Sequence, residues 1–183
     1  MAKTQRKTID KVFIMLGTVT ALVLLAIGCL AWHASNFAKN SVHDELAAQK
    51  IFFPPLNSPA IAALPSTDQV QMNKYAGQQL VDGAQAKVYA NNFIAVHLNE
   101  AAEGQTYSQV STKALANPTN TVLQTQANVL FKGETLRGLL LGDGYAYWTF
   151  GQIAHTAAIA ALVGAGVMIL LVWLGMIHLA RLK

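Results

Sequence analysis

Cysteine is almost missing from this 183-residue chain, with Cys29 standing alone. A single thiol excludes an intramolecular disulfide and any multi-cysteine metal site. Charge is scarce too: 13 Lys and Arg face 9 Asp and Glu. Signatures of familiar catalysis are lacking. No Ser-His-Asp arrangement or nucleophile elbow can be assigned. Gly138, Gly142 and Gly144 are not followed by the Lys and Ser or Thr of a phosphate loop. There is no internal repeat and no low-complexity tract.

What the chain does have is two apolar runs. From Thr156 to Ile177 there is no charged residue, and Val12 to Trp32 is equally free of charge. Each is long enough to cross a hydrocarbon core of about 30 Å as a helix. Lys3, Arg6, Lys7 and Lys11 precede the first run, and Arg181 and Lys183 follow the second. The intervening segment is nearly neutral. Basic flanks stay on the cytoplasmic side. The expected organisation is a cytoplasmic N-terminus (1–11), a first span (12–32), an extracytoplasmic helical domain (33–149), a second span with its interfacial flank (150–180) and a cytoplasmic C-terminus (181–183). The fold class expected is an all-α membrane protein of the cell membrane. An uncleaved anchor is preferred to a signal peptide because the first apolar core exceeds the roughly 7–15 residues usual there. A lipoprotein reading of Ala26 to Cys29 is weakened by Ala26, where Leu is usual, and by the helical sequence that follows.

The net charge of +4 sits on those flanks, so it points to a lipid bilayer and not to nucleic acid. His33–Lys50 contains neither Pro nor Gly and places Ala34, Phe37, Ala38, Val42, Leu46 and Ala47 mostly at spacings of three and four, so the first helix is expected to continue to about Gln49. Pro54, Pro55, Pro59 and Pro65 then favour extended or turn structure, with Ile51, Phe52, Phe53 and Leu56 pinning the loop. Ser66 is read as an N-cap for a helix to about Leu80. A second helix is expected over 84–102, with Ala86, Tyr89, Ala90, Phe93, Val96 and His97 on its buried stripe. Gly104 stops it. A short helix follows from Thr106 to about Ala116, and Pro118 opens another. Gly142-Asp143-Gly144 reads as a turn. Trp32, Tyr145, Tyr147, Trp148 and Phe150 form an expected interfacial aromatic belt.

Candidate sites were weighed against plainer readings. His33 and His155 fall at the outer ends of the two spans, where a pair of imidazoles can ligate haem; interfacial hydrogen bonding is preferred. His43-Asp44-Glu45, with His97 or Glu100, would supply metal ligands, but a solvated helix face is preferred. Glu100 and Glu103 are read as solvated, not as an acid/base pair. No catalytic, cofactor or metal residue is assigned. Gly17 with Ala21, Ala160 with Gly164, and Ala161 with Ala165 are four apart, a pattern that permits close helix contact in lipid. They are the helix-packing candidates, between the two spans or with a membrane-protein partner or a second copy.

Several stretches resemble a group of uncharacterised actinobacterial two-span membrane proteins with an outer helical domain. They are Val42-His43-Asp44-Glu45-Leu46, Gln49-Lys50-Ile51, Phe53-Pro54, Tyr75-Ala76-Gly77-Gln78, His97-Leu98, Gly104-Gln105-Thr106-Tyr107 and Phe131-Lys132-Gly133-Glu134-Thr135-Leu136-Arg137-Gly138. Such proteins sometimes carry a label for an aromatic ring-opening dioxygenase. The iron site of two His and a carboxylate is not found here, so that activity is not carried over. The expected function is a non-catalytic accessory or scaffold protein of a membrane assembly. A lipid- or small-molecule-binding protein comes second and an enzyme third. A receptor is disfavoured because no effector domain follows the second span.

Overall fold

The computed structural model describes residues 3–181; the expectation placed on Lys183 lies outside them. Helix accounts for 82% of the structure and there is no strand among the described residues. The order is α1 (Lys3–Ala48), α2 (Pro59–Ala62), α3 (Ser66–Asn73), α4 (Gly83–Tyr89), a π-helical segment π1 (Ala90–Ile94), α5 (Ala95–Ala101), α6 (Tyr107–Ala116), α7 (Thr121–Leu139), a second π-helical segment π2 (Leu140–Ala146) and α8 (Tyr147–Arg181). The chain divides into two compact units. One holds the chain up to Phe37 and from Phe150 onward, and the other is Ala38–Thr149.

Two helical stretches are long and apolar enough to cross a membrane, Gln5–Ala48 and Thr121–Arg181. Only 17% and 11% of their most apolar windows are buried. The core helix of a soluble protein would hide far more of such a window.

In the first unit α1 and α8 run antiparallel along a seam of small residues. Gly17, Ala21, Gly28 and Ser35 are buried on α1, with Ile14, Leu24 and Ala31 half-buried between them. Gly151, Ala158, Ala161 and Ala165 are buried on α8, with Ala154, Met168, Val172 and Gly175 half-buried. Both sets recur at alternating threes and fours, the 3.5-residue repeat of a helix pair. The approach is close. A Cβ at Gly17 would lie 2.8 Å from Val172 Cγ2, and one at Gly28 would lie 2.7 Å from the Leu162 side chain. Among the packing candidates, Gly17, Ala21, Ala161 and Ala165 are on this seam. Gly164 is half-buried, its added Cβ meeting Leu24 at an ordinary 3.5 Å, and Ala160 is exposed.

The second unit has a core of Val42 and Leu46 from α1 together with Phe53, Ile61, Leu64, Met72, Leu80, Ala86, Ala90, Ile94, Leu98, Ala102, Val110, Leu130 and Leu140. The proline-rich loop is pinned as expected at Phe53, which is 2% exposed, but Phe52 and Leu56 face outward. Its backbone pairs with the segment after α3: Phe53 N–H donates to Gln78 at 2.9 Å and Leu80 N–H to Ile51 at 2.9 Å. That pairing ends α3 at Asn73, short of the expected Leu80, because residues 78–80 are extended to make it. Pro59 does not exclude helix; it sits in the first turn of α2, where no N–H is needed. Ser66 is the first helical residue, with Pro65 at the N-cap position. Pro118 lies before α7, which starts at Thr121 because Asn120 Oδ1 accepts from the Val122 and Leu123 amides.

Glutamines close the helix ends. Gln79 Nε2 donates to Ala47 O, Gln124 Nε2 to Ala114 O and Gln126 Nε2 to Ala101 O, at 2.6–2.8 Å. Ala47 O and Ala114 O also accept the Lys50 and Asn117 amides just beyond their helices. Gln85 is 5% exposed: its Oε1 accepts from the Val81 and Asp82 amides while its Nε2 donates to Gln78. Gln85→Ala should lower the stability of this unit by about 1 kcal/mol, since it leaves two half-buried amides unpaired. Amide exchange of Val81 and Asp82 checks it; unchanged protection there would show that the cap contributes nothing.

The two π segments overturn two expectations. Ala86 and Ala90 are buried as expected, and Tyr89, Phe93 and Val96 pack partly buried against the core, but the fully buried row continues through Ile94, Leu98 and Ala102 and not through Phe93 and His97. Positions four apart drift about 40° per step on an α-helix, and the wider π1 turn takes up that drift. Phe93 is therefore half-buried and His97 exposed. Gly142-Asp143-Gly144 is not a turn: it lies inside π2, and helix runs without a break from Thr121 to Arg181. Gly144 is used for close approach, where an added Cβ would lie 3.1 Å from Ala86 Cβ. Facing it, a Cβ on Gly83 would run into Trp148 Cβ and lie 2.9 Å from Gly144 O. The α4–π2 crossing is thus set by two glycines.

Candidate functional site: a polar groove between the two π segments

The α4–π2 crossing brings together residues distant in sequence. Gln71 and Tyr75 come from α3 and its exit, Ala84, Lys87 and Val88 from α4, Asn91 and Asn92 from π1, and Tyr145 from π2. They line a solvent-open groove of about 560 Å³, within the range of about 300–1,000 Å³ usual for small-molecule sites. Both π segments contribute to it, and π insertions in α-helices are frequent at functional sites because they re-aim side chains.

Each polar side chain is fixed by a neighbour. Lys87 Nζ donates to Tyr145 OH at 3.2 Å and lies 4.6 Å from that ring's centroid. Asn91 Oδ1 accepts from Arg137 at 3.2 Å, which leaves its Nδ2 over; Arg137 also pairs with Glu134 at 3.3 Å. Asn92 Nδ2 donates to Asp68 at 2.6 Å. Gln71 Oε1 accepts from Lys74 at 2.7 Å, which leaves its Nε2 over. Behind the groove runs an aromatic row. Phe53 meets Tyr75 at a tilt and Tyr89 edge-on, at 5.3 Å each, Tyr89 meets Phe93 at 5.1 Å and Phe93 meets His97 at 4.5 Å.

The two tyrosines of this region are shifted oppositely. The Lys87 hydrogen bond and charge hold the Tyr145 phenol below its usual value of about 10, and burial raises that of Tyr89. In an absorbance titration Tyr145 should be among the first phenols to ionise. Tyr145→Phe should remove that early phase and Lys87→Gln should move it upward; an early phase left in place by Tyr145→Phe would contradict the assignment.

The other candidates are not brought together. The ring stacked on His155 is that of Trp32, at 5.0 Å, while His33 is exposed. His43, Asp44, Glu45, Glu100 and Glu103 are all exposed. No group of three or more His, Cys, Asp or Glu able to hold a metal occurs among the described residues. Of the five aromatic-belt residues, Trp32, Tyr147 and Phe150 are exposed, Trp148 packs against the core of the second unit, and Tyr145 belongs to the groove. Nothing in the sequence joined Gln71, Lys87, Asn91 and Tyr145, since their proximity is made by helix crossing alone. No protein-family model matches the chain, and comparison with curated proteins and with solved structures gives no match.

Proposed function

We propose that the chain is a membrane-anchored binding protein whose helical unit holds a small polar molecule in the groove of Lys87, Asn91 and Tyr145. The observation that carries this reading is the convergence of both π segments on one groove whose polar side chains are already held in place by neighbours. Preformed polar groups reduce the ordering cost of binding. On this reading α1 and α8 are the spans, and the basic flanks keep both termini in the cytoplasm with the helical unit outside. Relationship to the actinobacterial two-span proteins is part of the same proposal and rests on the quoted motifs. The test is native mass spectrometry of the full chain extracted in mild detergent. A small molecule should accompany the wild type and be absent from Ala84→Trp, which fills the groove, at equal thermal stability. Identical adducts in both proteins would sink the reading.

An accessory role in a membrane assembly is the second reading. It is favoured by one feature of α8: Ala160 is exposed beside the half-open Gly164, away from the buried seam. Small residues on a lipid-facing side let another helix approach. Ala160→Leu should then shift the complex on native gels to smaller size, with the helical unit still protease-resistant. Unchanged migration would remove this support.

A further inference from the structure

The chemistry of the groove narrows the class of ligand. None of its lining residues is a carboxylate. Of the carboxylates bonded to its polar side chains or their partners, Asp68 accepts from the lining residue Asn92 and Glu134 pairs with Arg137. What remains to be satisfied is mostly donors. Lys87 is exposed and uses one of its three N–H bonds on Tyr145. Gln71 and Asn91 each spend their oxygen on a cationic neighbour, which leaves their amide NH₂ groups for a ligand. Lys74 adds positive charge beside Gln71, while the charge of Arg137 beside Asn91 is offset by Glu134. A donor-rich, carboxylate-free wall with a lysine calls for a ligand bearing acceptor oxygens and negative charge. The groove, at about 560 Å³, has room for an organic body beside the anion. Tyr75 and Val88 give that body an apolar side to rest on.

We infer that the groove binds a phosphate ester, with Lys87, Asn91 and Gln71 on the phosphate oxygens and the alcohol portion along Tyr75 and Val88. This rests on the reading of the groove as a binding site. The phosphate can belong to a soluble ester or to a lipid headgroup, and the two sources present the same chemistry to these residues.

The experiment is calorimetric titration of the full chain in phosphatidylcholine nanodiscs with glycerol 3-phosphate, and with glycerol as the uncharged body. Glycerol 3-phosphate should bind and glycerol should not. Lys87→Gln, at an exposed position, should weaken binding at least about tenfold, the scale of one charge-assisted hydrogen bond. Asn91→Asp keeps an oxygen for Arg137 while setting a negative charge against the phosphate, and should abolish binding. Discs containing phosphatidic acid separate the sources. If they block glycerol 3-phosphate in the wild type, the lipid headgroup is the ligand; if they leave it unchanged, the soluble ester is. Wild-type affinity in both variants, or glycerol binding as well as its phosphate, would overturn the phosphate assignment. Glycerol binding lost in Ala84→Trp would do so while leaving the groove as a binding site. Absence of heat with every probe overturns the phosphate assignment. The groove reading falls with it only if the co-purifying adduct is also insensitive to Ala84→Trp.

Discussion

Phe53→Ala should destabilise the helical unit by about 3–5 kcal/mol, the usual result of emptying a buried phenylalanine site. Phe53 is 2% exposed and touches two other aromatic rings. It also joins the loop after α1 to the segment after α3, whose backbones pair on either side of it. The ring therefore connects three segments through one site, and its loss opens a cavity that helices fixed by glutamine caps cannot easily close. Phe93→Ala, at the position that sequence periodicity places at the centre of the stripe, should cost only about 1–2 kcal/mol, because a half-exposed ring forfeits less transfer free energy. Thermal or denaturant unfolding of the full chain in detergent, followed by amide exchange at Ala86 and Ala90, ranks the two. An equal or larger loss for Phe93→Ala would mean that the π1 segment does not set the buried row.

That reversal marks the limit of what the sequence discloses. The row of Ala86, Ala90, Ile94, Leu98 and Ala102 is visible as a run of fours. A straight α-helix would carry such a run off the buried face, so the stripe through Phe93 and His97 looks better on a 3.6-residue wheel. Only packing on α3 and α7 stabilises the wider turn that restores the run of fours. Gly142-Asp143-Gly144 misleads for a related reason. Glycine marks a turn when nothing is known of its surroundings, but here Gly144 admits Ala86 and the helix persists. Local chemistry was readable where it is self-contained. Thr106 with Gln109 forms the capping box that starts α6, and Gly104, at φ 77°, ends the helix before it. The groove has no such local signature, because four α-helices and π1 separate Gln71 from Tyr145 along the chain.

The span seam was half legible, and the missed half gives the other large effect. A search for small residues four apart finds Gly17 with Ala21 and Ala161 with Ala165. Gly28 and Ser35 escape it because they follow Ala21 at intervals of seven, the heptad spacing of one seam. Gly28→Leu should separate α1 from α8, since even a Cβ there would fall 2.7 Å from Leu162. On the reading of α1 and α8 as spans, the contact rests on close approach of the helices, not on a hydrophobic driving force, and overpacking should cost about 1–3 kcal/mol. Gly166→Leu is the control: an added Cβ there meets nothing within 4 Å, so the longer side chain has room. The readout is disulfide formation between Ala21→Cys and Met168→Cys in a chain with Cys29→Ser. These positions fall at matching levels of the seam, between the Gly17–Val172 and Leu24–Gly164 contacts. Oxidation should join the pair rapidly in the otherwise unchanged chain and in Gly166→Leu, and at least about tenfold more slowly in Gly28→Leu, as a penalty of roughly 1.4 kcal/mol on the closed state implies. Equal rates in Gly28→Leu and Gly166→Leu would show that the glycine is not what holds these helices close.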